Sequence, residues 1–141
     1  LKLTNDQLVV TDANQAYFKF QTDATNSEAF TDFTLLHFVH SIADTDYISA
    51  LPITIAANTV YRLKIVIDSN RKAAIFVNGI QYNVTSTSGS TGGTAVTTGT
   101  TKTAALTDNV DFIPYIGIEA GDGAAEALDV HFQAISRDLY E

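Results

Sequence analysis

Residues 60–84 read VYRLKIVIDSNRKAAIFVNGIQYNV, from Val60 to Val84, and this stretch decides the fold. Tyr61, Leu63, Ile65 and Ile67 alternate with Arg62, Lys64 and Asp68. That period of two is the pattern of a half-buried strand, apolar on one face and wet on the other. A polar turn follows at Asp68-Ser69-Asn70-Arg71-Lys72, then a second run carrying Ile75 and Val77, then Asn78-Gly79. Asn and Gly both tolerate the positive φ of a type I′ hairpin turn. With Asn78 and Gly79 at its centre, Val77 stands opposite Ile80 and Ile75 opposite Tyr82, so these four side chains share a face, and Phe76 and Gln81 share the other. A slip of one residue would carry the apolar set into water, so turn and pattern select the same register.

The rest of the chain extends this reading. At 141 residues it is expected to form one domain, 1–141, able to bury roughly two thirds of its unfolded surface. Helix signals are weak throughout. Strand patterns occur at Lys2 to Val10, Tyr17 to Gln21, Phe33 to His40, Tyr47 to Leu51 and Ile53 to Ile55, with Asp23 to Asp32 as a polar connection. Phe33, Leu35 and Val39 fall on one face of their run and Leu36 and Phe38 on the other, which predicts a strand covered on both sides in the middle of a sheet. It would pair with Tyr47 to Leu51 through a turn at Asp44-Thr45-Asp46. Residues 86–103 contain SGSTGGTAVTTGTT, too small and polar to offset their own ordering entropy, and are expected to be a long flexible loop. Strand patterns return at Phe112 to Ile118, where Pro114 demands an edge or a bulge, and at Leu128 to Ile135, where Leu128, Val130 and Phe132 alternate with Asp129, His131 and Gln133. Eight or more short strands separated by turns predict an all-β protein, two antiparallel sheets packed as a β-sandwich.

Composition excludes several functions. Formal net charge is −8, which opposes binding to phosphate backbones, so nucleic acid is not an expected partner. No apolar run approaches the roughly 20 residues of a membrane helix. There is no cysteine, hence no disulfide, thiolate–metal or cysteine-nucleophile chemistry. A chain that opens at Leu1 and contains no Met is expected to be a processed or partial product.

From Thr59 to Ser136 the order TVYRLKIVID, turn, AAIFVNGIQY, long loop, DFIPYIGIEAGDGAAEALDVHFQAIS resembles the closing half of concanavalin A-like (laminin-G-like) jelly rolls. It is especially similar to those in virion structural proteins of tailed bacteriophages. The resemblance implies a jelly-roll module without enzymatic activity on a phage particle. The favoured role is a capsid decoration or cement protein bound to the major capsid protein or other virion proteins on the head surface, and such modules are commonly trimeric. The alternative is a carbohydrate-binding or adhesion module of a tail fibre, using exposed tyrosines such as Tyr47, Tyr82 or Tyr115. Absence of tryptophan argues against a sugar-stacking platform.

Candidate sites are sparse. Glycosidases need two carboxylates flanking the scissile bond. The glutamates are Glu28, Glu119, Glu126 and Glu141, and only Glu119 and Glu126, across the Gly121-Asp122-Gly123 turn, could approach each other. No catalytic residue and no required cofactor is assigned. Asp44, Asp46 and Asp122 are weak calcium candidates, being turn carboxylates of the hard-oxygen type calcium prefers. His37 and His40 are three apart on a strand and so point to opposite faces, as core or interface residues rather than a zinc pair. His131 lacks a triad around it. Asn83-Val84-Thr85 matches a glycosylation sequon but reads as a hairpin residue. The candidates for partner contact are Arg62, Lys64, Arg71 and Lys72, which gather much of the scarce positive charge near one hairpin, with Thr94 and Val96 in the 86–103 segment.

Overall fold

The computed structural model describes residues 13–20, 34–89, 92–108 and 129–136. Seven strands follow in order: β1 (Asn14–Lys19), β2 (Leu35–Ile42), β3 (Thr45–Thr54), β4 (Leu63–Ile67), β5 (Ala73–Val77), β6 (Ile80–Tyr82) and β7 (Thr94–Ala95). There is no helix among the described residues. One sheet has the order β1-β2-β3-β7, the other β4-β5-β6. All pairings are antiparallel except that of β7 with β3. The expected strands at Lys2 to Val10 and Phe112 to Ile118 and the connection from Asp23 to Asp32 lie outside the described residues.

The central strand of the first sheet is β2, and every residue from Leu36 to Ser41 is buried. Leu36 and Phe38 point into a cluster shared with Ala16 and Leu51 of their own sheet and with Ala73, Ile75, Val77 and Tyr82 of the other. Val39 points the opposite way and packs with Ile48 and Tyr17. The sequence is apolar on both sides here because both sides are covered. Phe18 packs edge-on to Phe38 at 5.6 Å between ring centroids, adding a directional contact to the buried area.

Hairpin β2–β3 closes on Ala43 and Asp44, with φ of 49° and 64°, one residue earlier than the expected Asp44-Thr45-Asp46 turn. Two successive left-handed residues give the turn the twist that antiparallel strands need. The Ala43 N–H is received by Asn14 Oδ1 and that of Asp44 by the Ala13 carbonyl, so β1 helps hold the turn. A further difference concerns Pro52. Tyr47 to Leu51, Ile53 and Thr54 belong to one strand, not two, and Ile55 lies just beyond its end; within it the register jumps from His37↔Ala50 to Leu35↔Thr54. Pro52 falls in that irregularity, where no ladder donor is demanded of it.

In the second sheet the register is the one the sequence dictates: Val77↔Ile80, Phe76↔Gln81 and Ile75↔Tyr82. Asn78 and Gly79 carry φ of 51° and 85°. The shared face is not buried along its whole length, however. Val77 is 2% exposed, whereas its neighbours Ile80 and Leu63 are 52% and 46% exposed and lie outside the core cluster. At this end the hairpins outrun the sheet that covers them. A second correction concerns the last expected strand: residues 129–136 have no strand geometry and are exposed, Val130, Phe132 and Ile135 included. Alternation becomes a strand only where a ladder and a face to bury exist, and among the described residues this segment finds neither; Leu128 lies outside them.

Two substitutions separate core from rim. Leu51→Ala, at a fully buried site, is expected to lower unfolding stability by about 2–5 kcal/mol, and Ile80→Ala by no more than about 0.5 kcal/mol. Urea titration followed by tyrosine fluorescence reads both, and equal effects would refute this placement of the core.

Candidate functional site

The surface with most to offer a partner is built on β4, β5 and β6. Five of the chain's 8 lysines and arginines, Arg62, Lys64, Arg71, Lys72 and Lys102, belong to this sheet or to the segment tied to it. They do not form one patch. Arg62 precedes β4 beside the Asn78-Gly79 turn, while Arg71 and Lys72 occupy the turn at the opposite end of the β4–β5 hairpin. Asn78 fixes the first position: its Oδ1 accepts the Arg62 N–H at 2.9 Å and its own N–H is received by the Arg62 carbonyl at 2.9 Å. Lys64 lies opposite Phe76 and its ammonium sits 5.6 Å from the ring centroid, a cation–π contact on the outer face.

Arg71, by contrast, is used by the fold. Its Nε donates to the Leu106 carbonyl at 3.1 Å, its own carbonyl receives the Leu106 N–H at 2.8 Å, and its guanidinium lies 3.5 Å from Asp108. The turn around it is organised by Asp68, whose Oδ1 accepts the N–H groups of Asn70 and Lys72 and whose Oδ2 accepts the Lys102 ammonium at 2.8 Å. The Lys102 hydrogen bond first, and then the Lys72 N–H, hold the Asp68 carboxyl below its ordinary range. Of the expected contact residues, Arg62, Lys64, Lys72 and Thr94 are exposed, while Val96 packs half-buried against the core and donates its N–H to Ala50.

Residues 94–106 are tied down by backbone hydrogen bonds, although nothing in their composition asks for order. The Asn83 N–H donates to Thr97, the Val84 N–H to Thr101, the Gly99 N–H to Gln81, the Thr103 N–H to Ala73 and the Leu106 N–H to Arg71. Asn83 adds a side-chain latch, donating from Nδ2 to Thr97 Oγ1 and the Thr98 carbonyl and accepting the Thr101 N–H at Oδ1. A Cβ on Gly99 would come within 2.2 Å of Asn83 Oδ1, so only glycine admits this approach. The amide that a sequon would offer to a glycan is thus spent inside the fold. Ser49 Oγ takes the Thr85 N–H at 3.0 Å and Thr103 Oγ1 takes the Ala73 N–H at 2.8 Å, so buried hydroxyls join the segments that leave the sheets. Small polar residues are ordered here by the backbone ladder they complete, a signal that composition does not carry.

The acidic and histidine candidates are dispersed. Asp44 is exposed in its turn, and Asp46 accepts the Ser41 hydroxyl, which accepts Gln15 Nε2 at 2.9 Å, a row across β1, β2 and β3. No three His, Asp or Glu side chains converge among the described residues. Asp122, Tyr115 and all four glutamates lie outside them. His37 and His40 are both buried and on opposite faces of β2: His37 meets Gly93, and His40 stacks between Phe38 and Tyr47 with centroid distances of 5.7 and 4.7 Å. His131 is exposed on the segment that forms no strand.

No family model, curated protein or solved structure matches this chain.

Two predictions follow from the latch and from His40. Asn83→Ala is expected to cost about 1–2 kcal/mol, since it removes the side-chain hydrogen bonds that hold residues 97–101, and to raise hydrogen exchange at Gly99 and Thr101 before the core amides. Unchanged exchange would exclude the latch. Burial, leaving His40 1% exposed, lowers its pKa from 6.5 to about 4. The unfolded chain therefore binds a proton that the folded chain refuses, so this stability is fully present above pH 6.5 and is lost as pH falls toward 4. The full effect is of order 3 kcal/mol, and His40→Phe should flatten that part of the stability–pH curve in urea unfolding at pH 7 and 4.5. An unchanged slope would show that His40 is not buried neutral.

Proposed function

We infer that this protein is a non-enzymatic structural module, a concanavalin A-like jelly roll that decorates the outer surface of a tailed-bacteriophage capsid. The observation that carries the non-enzymatic part is the use to which its polar side chains are put. Among the described residues, Asn83, Asp68, Asp46, Ser41, Ser49 and Thr103 each complete a turn, a ladder or a cross-strand row, and the surface around β4 is apolar and basic. Val60, Leu63, Val66 and Ile80 are exposed around Arg62 and Lys64. Large apolar side chains interleaved with cations on a chain of net charge −8 suit docking on a preformed, acidic protein surface. The two-sheet all-β architecture supports the jelly-roll reading, and the virion assignment rests on the sequence resemblance.

Such a module works by mass action. If it binds the assembled lattice and not free subunits, it lowers the free energy of the lattice by its own binding free energy, with no chemical step. The adhesion alternative has less support, because Tyr82 is buried and the Tyr47 ring is stacked on His40, so neither is a free platform for a sugar.

Deleting the gene from its phage is expected to leave genome packaging intact while lowering the temperature at which heads rupture, and adding purified protein back should restore that temperature. Heads that lack the protein yet rupture at the wild-type temperature would refute the role.

A further inference from the structure

Among the described residues, sheet β4-β5-β6 has one covered edge and one open edge. Beside β6, residues 97–99 continue the ladder, with Tyr82 bridged to Thr98 and hydrogen bonds from Gly99 and Asn83. Beside β4 there is no neighbouring strand among the described residues. The hydrogen-bond parity of the hairpin shows which groups that edge presents. The bonds Asn78→Arg62 and Asp68→Lys72 make 62/78 and 68/72 bonded pairs, so Lys64 and Val66 also turn inward to β5. Leu63, Ile65 and Ile67 therefore aim their N–H and C=O groups outward. An unpaired row of this kind templates strand addition unless it is blocked.

We propose that two copies of this chain pair antiparallel through β4, about a two-fold axis at Ile65, to make one continuous six-stranded sheet. The register is set by charge and apolar pairing together. With Ile65 opposite its own copy, Leu63 faces Ile67, Lys64 faces Val66 and Arg62 faces Asp68, twice over by symmetry. Asp68 is prepared for this: its backbone contacts and Lys102 hold the carboxylate in place at the edge, and its side chain retains 25% exposure. The outward-facing residues are the same three on both copies, so each meets a complementary donor and acceptor. A slip of two residues one way sets Lys64 against Lys64, and like charges directly opposite are destabilising. The opposite slip sets Lys64 against Asp68 but puts Leu63 opposite Ser69, beyond the end of β4, so the centred register keeps the full apolar row of Leu63, Ile65 and Ile67 paired as well as Arg62 with Asp68. The pairing also covers part of the exposed Leu63 and Val66 side chains. It gives a closed dimer rather than the trimer expected from the resemblance, and it does not depend on the capsid reading.

The test is sedimentation velocity on the full chain at roughly 100 µM, since a single strand edge makes a small, weak interface. A dimer is expected, with its dissociation constant raised at least about tenfold by Arg62→Glu, which opposes Asp68 with a like charge. Leu63→Pro removes an outward N–H and no internal bond, so it should give a folded monomer with the wild-type circular-dichroism spectrum. Because the chain has no cysteine, Lys64→Cys mixed with Val66→Cys should form a disulfide faster on oxidation than either variant alone; this arm holds if Leu63→Pro fails to fold. A monomeric wild-type chain, a dimer indifferent to Arg62→Glu, or equal cross-linking in mixed and single samples would each overturn the proposal.

Discussion

The fold depends on burying β2 from both sides. Phe38 and Leu36 fill the space between the two sheets, Val39 packs against Ile48 and Tyr17 on the reverse, and the strand's neighbours β1 and β3 take up its backbone groups. A strand wet on one side would need only half of these contacts. Full burial also brings His37, His40 and Ser41 inside, where each polar group needs a partner or must stay neutral, and this ties acid stability to the same strand.

From that centre, the second sheet is held by Ile75, Val77 and Tyr82 on the common core and by polar ties at its margins. The polar ties have a structural logic of their own. Asp68 builds the β4–β5 turn and draws in Lys102; Asn83 and Thr103 fasten residues 97–106 along β6 and β5; Tyr61 donates from its hydroxyl to the Thr54 carbonyl and accepts the Ala56 N–H, clasping the connection between the sheets. Among the described residues, these ties leave exposed at the rim the β4 edge, a few large apolar side chains and the cations beside them.

Much of this was legible in the sequence where local chemistry and pattern coincide. Asn78-Gly79 and the alternation around it determine the β5–β6 register, and the doubly apolar run around Phe38 marks the central strand. The misreadings have a common physical origin, because periodicity reports what a segment could bury and not what covers it. Leu63 and Ile80 alternate correctly yet stay exposed, and the Val130–Phe132 pattern finds no ladder among the described residues. Conversely, residues 94–106 are ordered by contacts from Asn83, Ala73 and Arg71, distant in sequence, which composition cannot reveal. The turn slipped to Ala43-Asp44 because Asn14, on another strand, supplies an acceptor there. The contact candidates divided for the same reason: Arg62 and Lys64 remain available, whereas Arg71 and Val96 are occupied by partners on remote segments.

Native-state amide hydrogen exchange tests the central role of β2 most directly. The amides of Phe38, Val39 and His40 are expected to be the slowest in the chain, opening only with global unfolding, while those of the exposed Ser86 and Ser88 exchange within the dead time. Exchange at β2 as rapid as at Ser86 and Ser88, with β5 still protected, would contradict the account.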